Sequence, residues 1–253
     1  MMMLEYGIVN QAGFFLLTGE VGSGKTLLVR RLLGTLGDDV KVGLIANTNR
    51  HFGKLLQWVS LAFELNYRGK DDAELYEQFT DYLVAQYAAG KRVLLIVDEA
   101  QNLDPLMLEE LRVLSNINAD KHLVLQTLLV GQPELRDTLK RPDLRQFAQR
   151  ISVDYHLPAL TLQETCGYVR HRLGIAGGDP KLFEEGAIAL VHEASGGVPR
   201  LVNQLCDTAL VYGFADGQAR IDAETMQQVI GDRSAGGLLP TMPGNDSRPV
   251  MGL

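Results

Sequence analysis

The chain has 253 residues, 46% of them hydrophobic, and its 24 Lys and Arg against 31 Asp and Glu give a formal charge of −7 at neutral pH. That size and apolar content allow a sizeable core with room for a second, smaller domain. The acidic balance argues against a surface that tracks nucleic acid throughout, because such affinity comes from Lys and Arg neutralising phosphates, although a local basic patch stays open. The two cysteines, Cys166 and Cys206, have no C-x-x-C partner, so neither a disulfide framework nor a zinc site is suggested; buried thiols in a reducing cytoplasm are expected.

The opening "MMMLEYGIVNQAG" lacks the basic start and continuous apolar core of a signal peptide. No stretch approaches the roughly 18 consecutive apolar residues that span a bilayer, so the sequence reads as a soluble, cytoplasmic chain.

Next comes "FFLLT" (14–18), a short apolar run of strand type, and then "GEVGSGKT", Gly19 to Thr26. The latter matches G-x-x-x-x-G-K-[ST] in full, and it follows a strand and opens a helix (25–36), the context such a motif requires. Glycines at 19, 22 and 24 let the loop turn its N–H groups toward phosphates, and the helix adds its positive end. The loop Gly19, Glu20, Val21, Gly22, Ser23, Gly24, Lys25, Thr26 and Leu27 is the expected ATP cradle. Lys25 is placed to reach the β- and γ-phosphates and the Thr26 hydroxyl to ligate Mg²⁺.

Further strands are expected at 41–46, 92–97, 123–130 and 151–156, with helical spacing at 52–65, 73–90 and 105–117 between them. Short apolar runs alternating with longer helical patterns predict an α/β fold: a five-stranded parallel sheet flanked by helices. The run "RVLLIVDEAQNL" puts Asp98 and Glu99 at the carboxyl edge of that sheet, where ligands of open α/β sheets bind. Asp98 is expected to hold Mg²⁺ and Glu99 to polarise the water that attacks the γ-phosphate. Two adjacent acids favour hydrolysis, while phosphoryl transfer to a small acceptor stays open. Asp104 and Pro105 predict a capped helix start.

Beyond residue 156 the strand signals stop and helices are expected at 161–173, 181–194, 199–214 and 222–230, the first opened by a Thr161/Glu164 capping box. These divisions predict a nucleotide-binding core over 1–157, a helical domain over 158–232 and a disordered Gly/Pro/Ser-rich tail over 233–253.

The ordered set "VDEAQNL…EELRVLSN…VGQPELR…LRQFAQRI", with "LEYGI", "LIANT" and "SGGVPRLVNQLCDTAL", resembles the P-loop NTPases of the AAA+ class. The likeness is narrower to the secretion-type ATPases known as component A of the general secretion pathway, with relatives in exosortase loci and mannose-sensitive pilus biogenesis. The resemblance implies a P-loop AAA+ core with a small C-terminal helical lid, and it implies roles for particular residues. Gln132 matches a γ-phosphate sensor, with a turn residue before Pro133 as the alternative. Asn47 matches a switch that restrains the catalytic glutamate, with a helix cap as the alternative. Arg200 matches a second sensor, with a surface salt bridge as the alternative. Arg150, and less well Arg145, matches the arginine finger that reaches a neighbouring subunit's nucleotide.

The family resemblance therefore implies a homo-oligomeric ATPase using ATP and Mg²⁺, stimulated by assembly. It would serve a secretion, pilus or exopolysaccharide system from the cytoplasm or peripherally at the inner membrane through export partners. An ATP-dependent DNA-binding regulator, similar to transposition target-selection ATPases, is the competing reading, with "LKRPDLRQFAQR" and "YVRHRL" as its basic strip. A nucleotide-gated scaffold is a third. A helicase is rejected, since a second RecA-like domain does not fit this length. Family members usually carry a segment upstream that helps enclose adenine, and many continue into a membrane-spanning helix and a peptidoglycan-binding domain that these residues do not include.

Overall fold

The computed structural model describes residues 7–8, 13–46, 48, 53–119 and 122–236. In chain order the strands are β1 (Phe14–Gly19), β2 (Val40–Ile45), β3 (Arg92–Val97), β4 (Asn118–Ala119), β5 (His122–Leu123), β6 (Leu125–Gly131) and β7 (Ile151–Leu157). Five of them form one parallel sheet in the order β2-β3-β6-β1-β7, and β4 pairs antiparallel with β5. The helices of this first unit are α1 (Lys25–Leu33), α2 (Leu55–Ala62), α3 (Asp72–Ala88), α4 (Pro105–Leu114) and two short ones, α5 (Glu134–Leu139) and α6 (Arg145–Ala148).

The continuous apolar runs of the inner strands exist because two cores need them. Successive side chains of a strand point to opposite faces. Phe14 and Leu16, with Val93, Leu95 and Val97, therefore join one cluster under α2, α3 and α4, where the Phe14 and Phe147 rings lie 4.6 Å apart. Phe15 and Leu17, with Leu94, Ile96, Leu128 and Val130, join the other against α1. Every residue of β1 and β6 is buried, whereas the edge strands β2 and β7 are buried only in part. Because the chain leaves β1 for the far edge and returns, the carboxyl ends of β1 and β3 flank that of β6. Such a reversal of strand order is where ligands of open parallel sheets bind.

The structure shifts several sequence expectations. The strand predicted at 123–130 is broken at Val124, because Leu123 belongs to β5, which pairs with β4, before β6 enters the sheet opposite Val93. The helix predicted at 52–65 is confined to α2, and that predicted at 25–36 stops at Leu33, before Gly34. Asp104 caps α4 as expected, its Oδ1 accepting the Met107 N–H at 2.7 Å.

By its contacts the chain parts into two units between Leu157 and Pro158, with the loop tip Val21–Ser23 grouped with the second. The second unit holds α7 (Leu162–Ile175), α8 (Glu185–Ser195), α9 (Pro199–Ala215) and α10 (Ala223–Ala235) around a core of its own that includes Val169, Ile188, Leu205 and Val229. The Thr161 box forms: Oγ1 accepts the Glu164 N–H at 3.3 Å, and Glu164 Oε2 accepts the Thr161 N–H at 2.9 Å. The helix predicted from 181 starts only at Glu185, because Phe183 pairs as a one-residue parallel bridge with Ile221. Residues 233–235, assigned to the tail on sequence, are helical. Arg233 ties the end of α10 to α9 through the Gln204 carbonyl and the Thr208 hydroxyl.

Cys206 lines a cavity of about 120 Å³ in this unit with Val169, Leu173, Phe183 and Leu210. Burial, helped by the Asp207 charge, pushes its thiol from 9.0 up to about 12. Thiolate is the reactive form. With its thiolate so disfavoured, Cys206 in a Cys166→Ser variant is expected to be labelled by iodoacetamide at pH 8 far more slowly in folded than in urea-unfolded protein. Raised in the folded state, this group contributes stability that is complete below pH 9.0 and lost as pH climbs through about 12.

Candidate nucleotide site

β1 ends at Gly19 and α1 begins at Lys25, so the phosphate-loop motif is the connection between them. Gly22 and Gly24 have φ of 82° and 101°, in the left-handed region that a side chain opposes. Gly22 has a second constraint, within the second unit: its carbonyl accepts the Arg200 N–H at 3.2 Å, and an added Cβ would sit 2.4 Å from the Arg200 Cβ. Gly24 caps α1 without a side chain to offer, so the first N–H groups of that helix receive no N-cap side-chain bond. Ser23 Oγ is buried and makes no hydrogen bond among the described residues. Open amides, a buried orphan hydroxyl and a helix start are features that a phosphate group satisfies.

Lys25 is buried, and its Nζ donates to the Gly19 and Glu20 carbonyls at 2.7 and 2.9 Å. Burial pulls its pKa below the ordinary lysine value, while the carboxylates of Glu99, Asp98, Glu20 and Glu134 push back. The ammonium charge is under-compensated, a deficit that phosphate oxygens would relieve. Thr26 and Leu27 are exposed at the start of the helix, as are Glu20 and Val21 on the loop.

β3 ends at Val97 and delivers the two acids to the same edge. Thr26 Oγ1 donates to Asp98 Oδ2 at 3.4 Å, the other Asp98 oxygen accepts the Glu99 N–H at 2.9 Å, and the Asp98 N–H is fixed on the Ile45 carbonyl. Glu99 is exposed with φ 53°, a left-handed backbone that a non-glycine residue adopts only where its surroundings hold it. The holding contacts are visible: Thr48 Oγ1 donates to the Glu99 carbonyl at 2.9 Å and Gln101 Nε2 to Glu99 Oε2 at 2.5 Å. The other end of the Gln101 amide, Oε1, accepts the Gln132 N–H at 3.1 Å. Gln101 thus joins the acid after β3 to the polar residue after β6. Gly131 leaves room here, since a Cβ there would lie 2.8 Å from Leu135 Cδ2 and 3.0 Å from Gln101 Oε1.

Gln101, Thr48 and Ser115 are the residues that sequence reasoning missed. Gln101 stood in the quoted "DEAQNL", but a side chain that orients its neighbours has no spacing of its own to detect. Ser115 concerns Arg150, whose Nη1 donates to Ser115 Oγ at 2.9 Å while that hydroxyl donates to the Arg112 carbonyl at 2.7 Å. Arg150 is half-buried and fixed, whereas Arg145 is exposed at the start of α6. Thr18, at the end of β1, shares a hydrogen bond of 3.1 Å with His156 Nδ1 on β7.

Arg200 is the second residue of α9 and its side chain is exposed. Asn47 lies outside the described residues. The basic strip expected from "LKRPDLRQFAQR" and "YVRHRL" is neutralised in part: Lys140 pairs with Asp137, Arg141 with Asp143 and Arg170 with Glu185. Among the described residues no helix is long and apolar enough to cross a membrane.

Comparison with known proteins places this geometry. General secretion pathway protein A of Aeromonas hydrophila is 44% identical over 219 residues, which is 86% of this chain and 40% of that protein. The chain thus spans two fifths of the length of this relative. Among solved structures, the Cdc6p protein of Pyrobaculum aerophilum superposes with a TM-score of 0.71 at 16% identity, covering 95% of this chain and 66% of its own. The ORC2 protein of Aeropyrum pernix, solved as ADPNP–ADP complexes, gives 0.65 at 19% identity over 91% of this chain and 65% of its own. The RuvB Holliday junction branch migration motor of Thermotoga maritima gives 0.57 at 17% over 91% and 66%. At such identities these three carry the fold alone. The AAA domain family matches residues 9–139, just over half of the chain and the stretch that holds both the phosphate loop and the acidic strand end. This protein therefore belongs to the AAA family, on a P-loop AAA+ fold, and is related to general secretion pathway protein A.

Proposed function

We propose that the chain is an ATP-hydrolysing motor or switch that assembles around its nucleotide and serves construction of a secretion, pilus or exopolysaccharide system at the bacterial envelope. The observation that carries the enzymatic part is the meeting of Lys25, Thr26, Asp98 and Glu99 at one sheet edge, with Thr26 and Asp98 already in contact. The loop amides, Ser23 and Lys25 take the triphosphate. Thr26 and Asp98 fit a magnesium ion, which when bound would neutralise charge on the β- and γ-oxygens. Glu99, aimed by Thr48 and Gln101, accepts a proton from the attacking water as its oxygen bonds to the γ-phosphorus and the bond to the β-phosphate oxygen breaks, leaving ADP and phosphate. Gln132, tied to Glu99 through Gln101, fits the sensor of the γ-phosphate. Arg200 is assigned to the second sensor and Arg150 to the finger offered to a neighbouring subunit.

The secretion assignment rests on the relatedness to general secretion pathway protein A, and the work done there is a cytoplasmic or membrane-peripheral one through partners. Phosphate release per chain from magnesium-ATP, followed as protein concentration rises, tests the reading. Specific activity should climb about tenfold or more as sedimentation shows assembly, since one supplied arginine is worth roughly 10³ or more in related phosphoryl transfer. A flat, negligible rate in assembled protein that still binds ATP would leave a nucleotide-gated scaffold. Strong stimulation by DNA that fades across a salt series would replace the envelope role with a DNA-bound one.

A further inference from the structure

Helix α4 carries more apolar surface than its own core uses. Leu108, Leu111 and Leu114 face inward and are buried. Leu106 and Val113, seven positions apart on another face, are 75% and 41% exposed. Scattered apolar residues on a surface need no explanation, but these two do not stand alone. With Leu56 of α2, Tyr76 of α3 and Leu114 they line an open groove of about 350 Å³, with Glu109 and Glu110 among its walls. That volume lies within the range of about 300 to 1,000 Å³ typical of ligand clefts.

The charges around the groove do not balance. Lys54 is paired with Asp72 at 2.6 Å and Arg112 with Glu109 at 2.6 Å. Asp104 is committed to capping α4. Glu110 is exposed and makes no hydrogen bond or ion pair to the described residues. Its carboxyl is pushed above the usual range by partial burial and by the charges of Asp72 and Asp104, with Lys54 opposing among the described residues. A cation brought beside Glu110 would relieve that repulsion. An acidic rim of this kind repels anionic lipid and nucleic acid, and it favours a positively charged protein segment.

We propose that this groove docks a basic amphipathic helix of a partner protein. Its apolar side chains, at i, i+3 or i+4 and i+7, enter between Leu106, Val113 and Tyr76, and a Lys or Arg beside them pairs with Glu110. The groove is made wholly by residues of α2, α3 and α4.

Fluorescence anisotropy of the full chain without nucleotide tests this, using two designed 18-residue peptides with Leu at helical heptad spacing and either Lys or Glu elsewhere. The Lys peptide should bind and the Glu peptide should not. Leu106→Glu and Val113→Glu, both surface changes whose folding is checked by thermal melting, should each weaken the Lys peptide about tenfold or more. Glu110→Lys should weaken the Lys peptide and admit the Glu peptide, an exchange that mere loss of structure does not produce. The proposal is overturned if the two peptides bind alike, if neither binds, or if the Lys peptide holds to all three variants equally. Loss of self-association in these variants by sedimentation would instead give the groove to a second copy.

Discussion

Glu99→Gln is expected to cut ATP turnover about 10²- to 10⁴-fold, the contribution of a positioned general base, while leaving magnesium-ATP affinity within about threefold. The substitution is nearly isosteric and the side chain is exposed, so no packing is lost. Thr48 holds Glu99 through its carbonyl, and the new amide can turn its own oxygen toward Gln101 Nε2, so the backbone at φ 53° keeps its support and Gln101 keeps its bond to Gln132. The phosphate-binding groups, Lys25 and the loop amides, are untouched. Binding by a fluorescent ATP analogue and phosphate release in the same preparations separate the two quantities. A variant that loses both together would mean that Glu99 helps to hold the nucleotide. One that loses neither would remove it from the chemistry. Lys25→Ala is the contrasting control, since its under-compensated ammonium belongs to binding, and that variant should lose affinity first.

What was readable in the sequence follows from what kind of physics leaves a pattern. The five strands announce themselves because a parallel sheet covered on both faces demands unbroken apolar runs such as "RVLLIV". The phosphate loop is legible because positive φ at Gly22 and Gly24, and the fixed reach of Lys25, tie residue types to spacings. Arg150 and Ser115 are 35 positions apart and meet only because the segment before β7 returns beside the end of α4; no periodicity joins them. The same holds for Gln101, whose amide links Glu99, after β3, to Gln132, after the adjacent β6. The pairing of β4 with β5 was hidden because two-residue strands such as Asn118–Ala119 and His122–Leu123 are too short to show a period. The late start of α8 was hidden because the Phe183–Ile221 bridge is a tertiary pairing within an otherwise helical unit.

Arg150→Ala should lower turnover of the assembled protein by roughly 10³-fold or more, with ATP binding by the isolated chain unchanged, if its guanidinium acts on a neighbour's nucleotide. Mixing supplies the decisive comparison. An Arg150→Ala chain keeps an intact Glu99 but offers no arginine, whereas a Glu99→Gln chain offers the arginine but cannot activate water. Equimolar mixtures should therefore turn over ATP faster than either variant alone, because some sites combine the sound half of each. No recovery would place Arg150 in its own subunit's chemistry or in folding, and the same pattern seen with Arg145→Ala would transfer the role to that residue. Ser115→Ala sharpens the test from inside the chain. It removes the hydroxyl that receives Arg150 Nη1 at 2.9 Å and is bonded in turn to the Arg112 carbonyl. A hydrogen bond to a charged group is worth about 1.5 to 3 kcal/mol, so the variant should lose roughly ten- to a hundredfold in turnover. The fall should show only in assembled protein and in the subunit that lends the arginine, since Ser115 acts by holding that side chain ready.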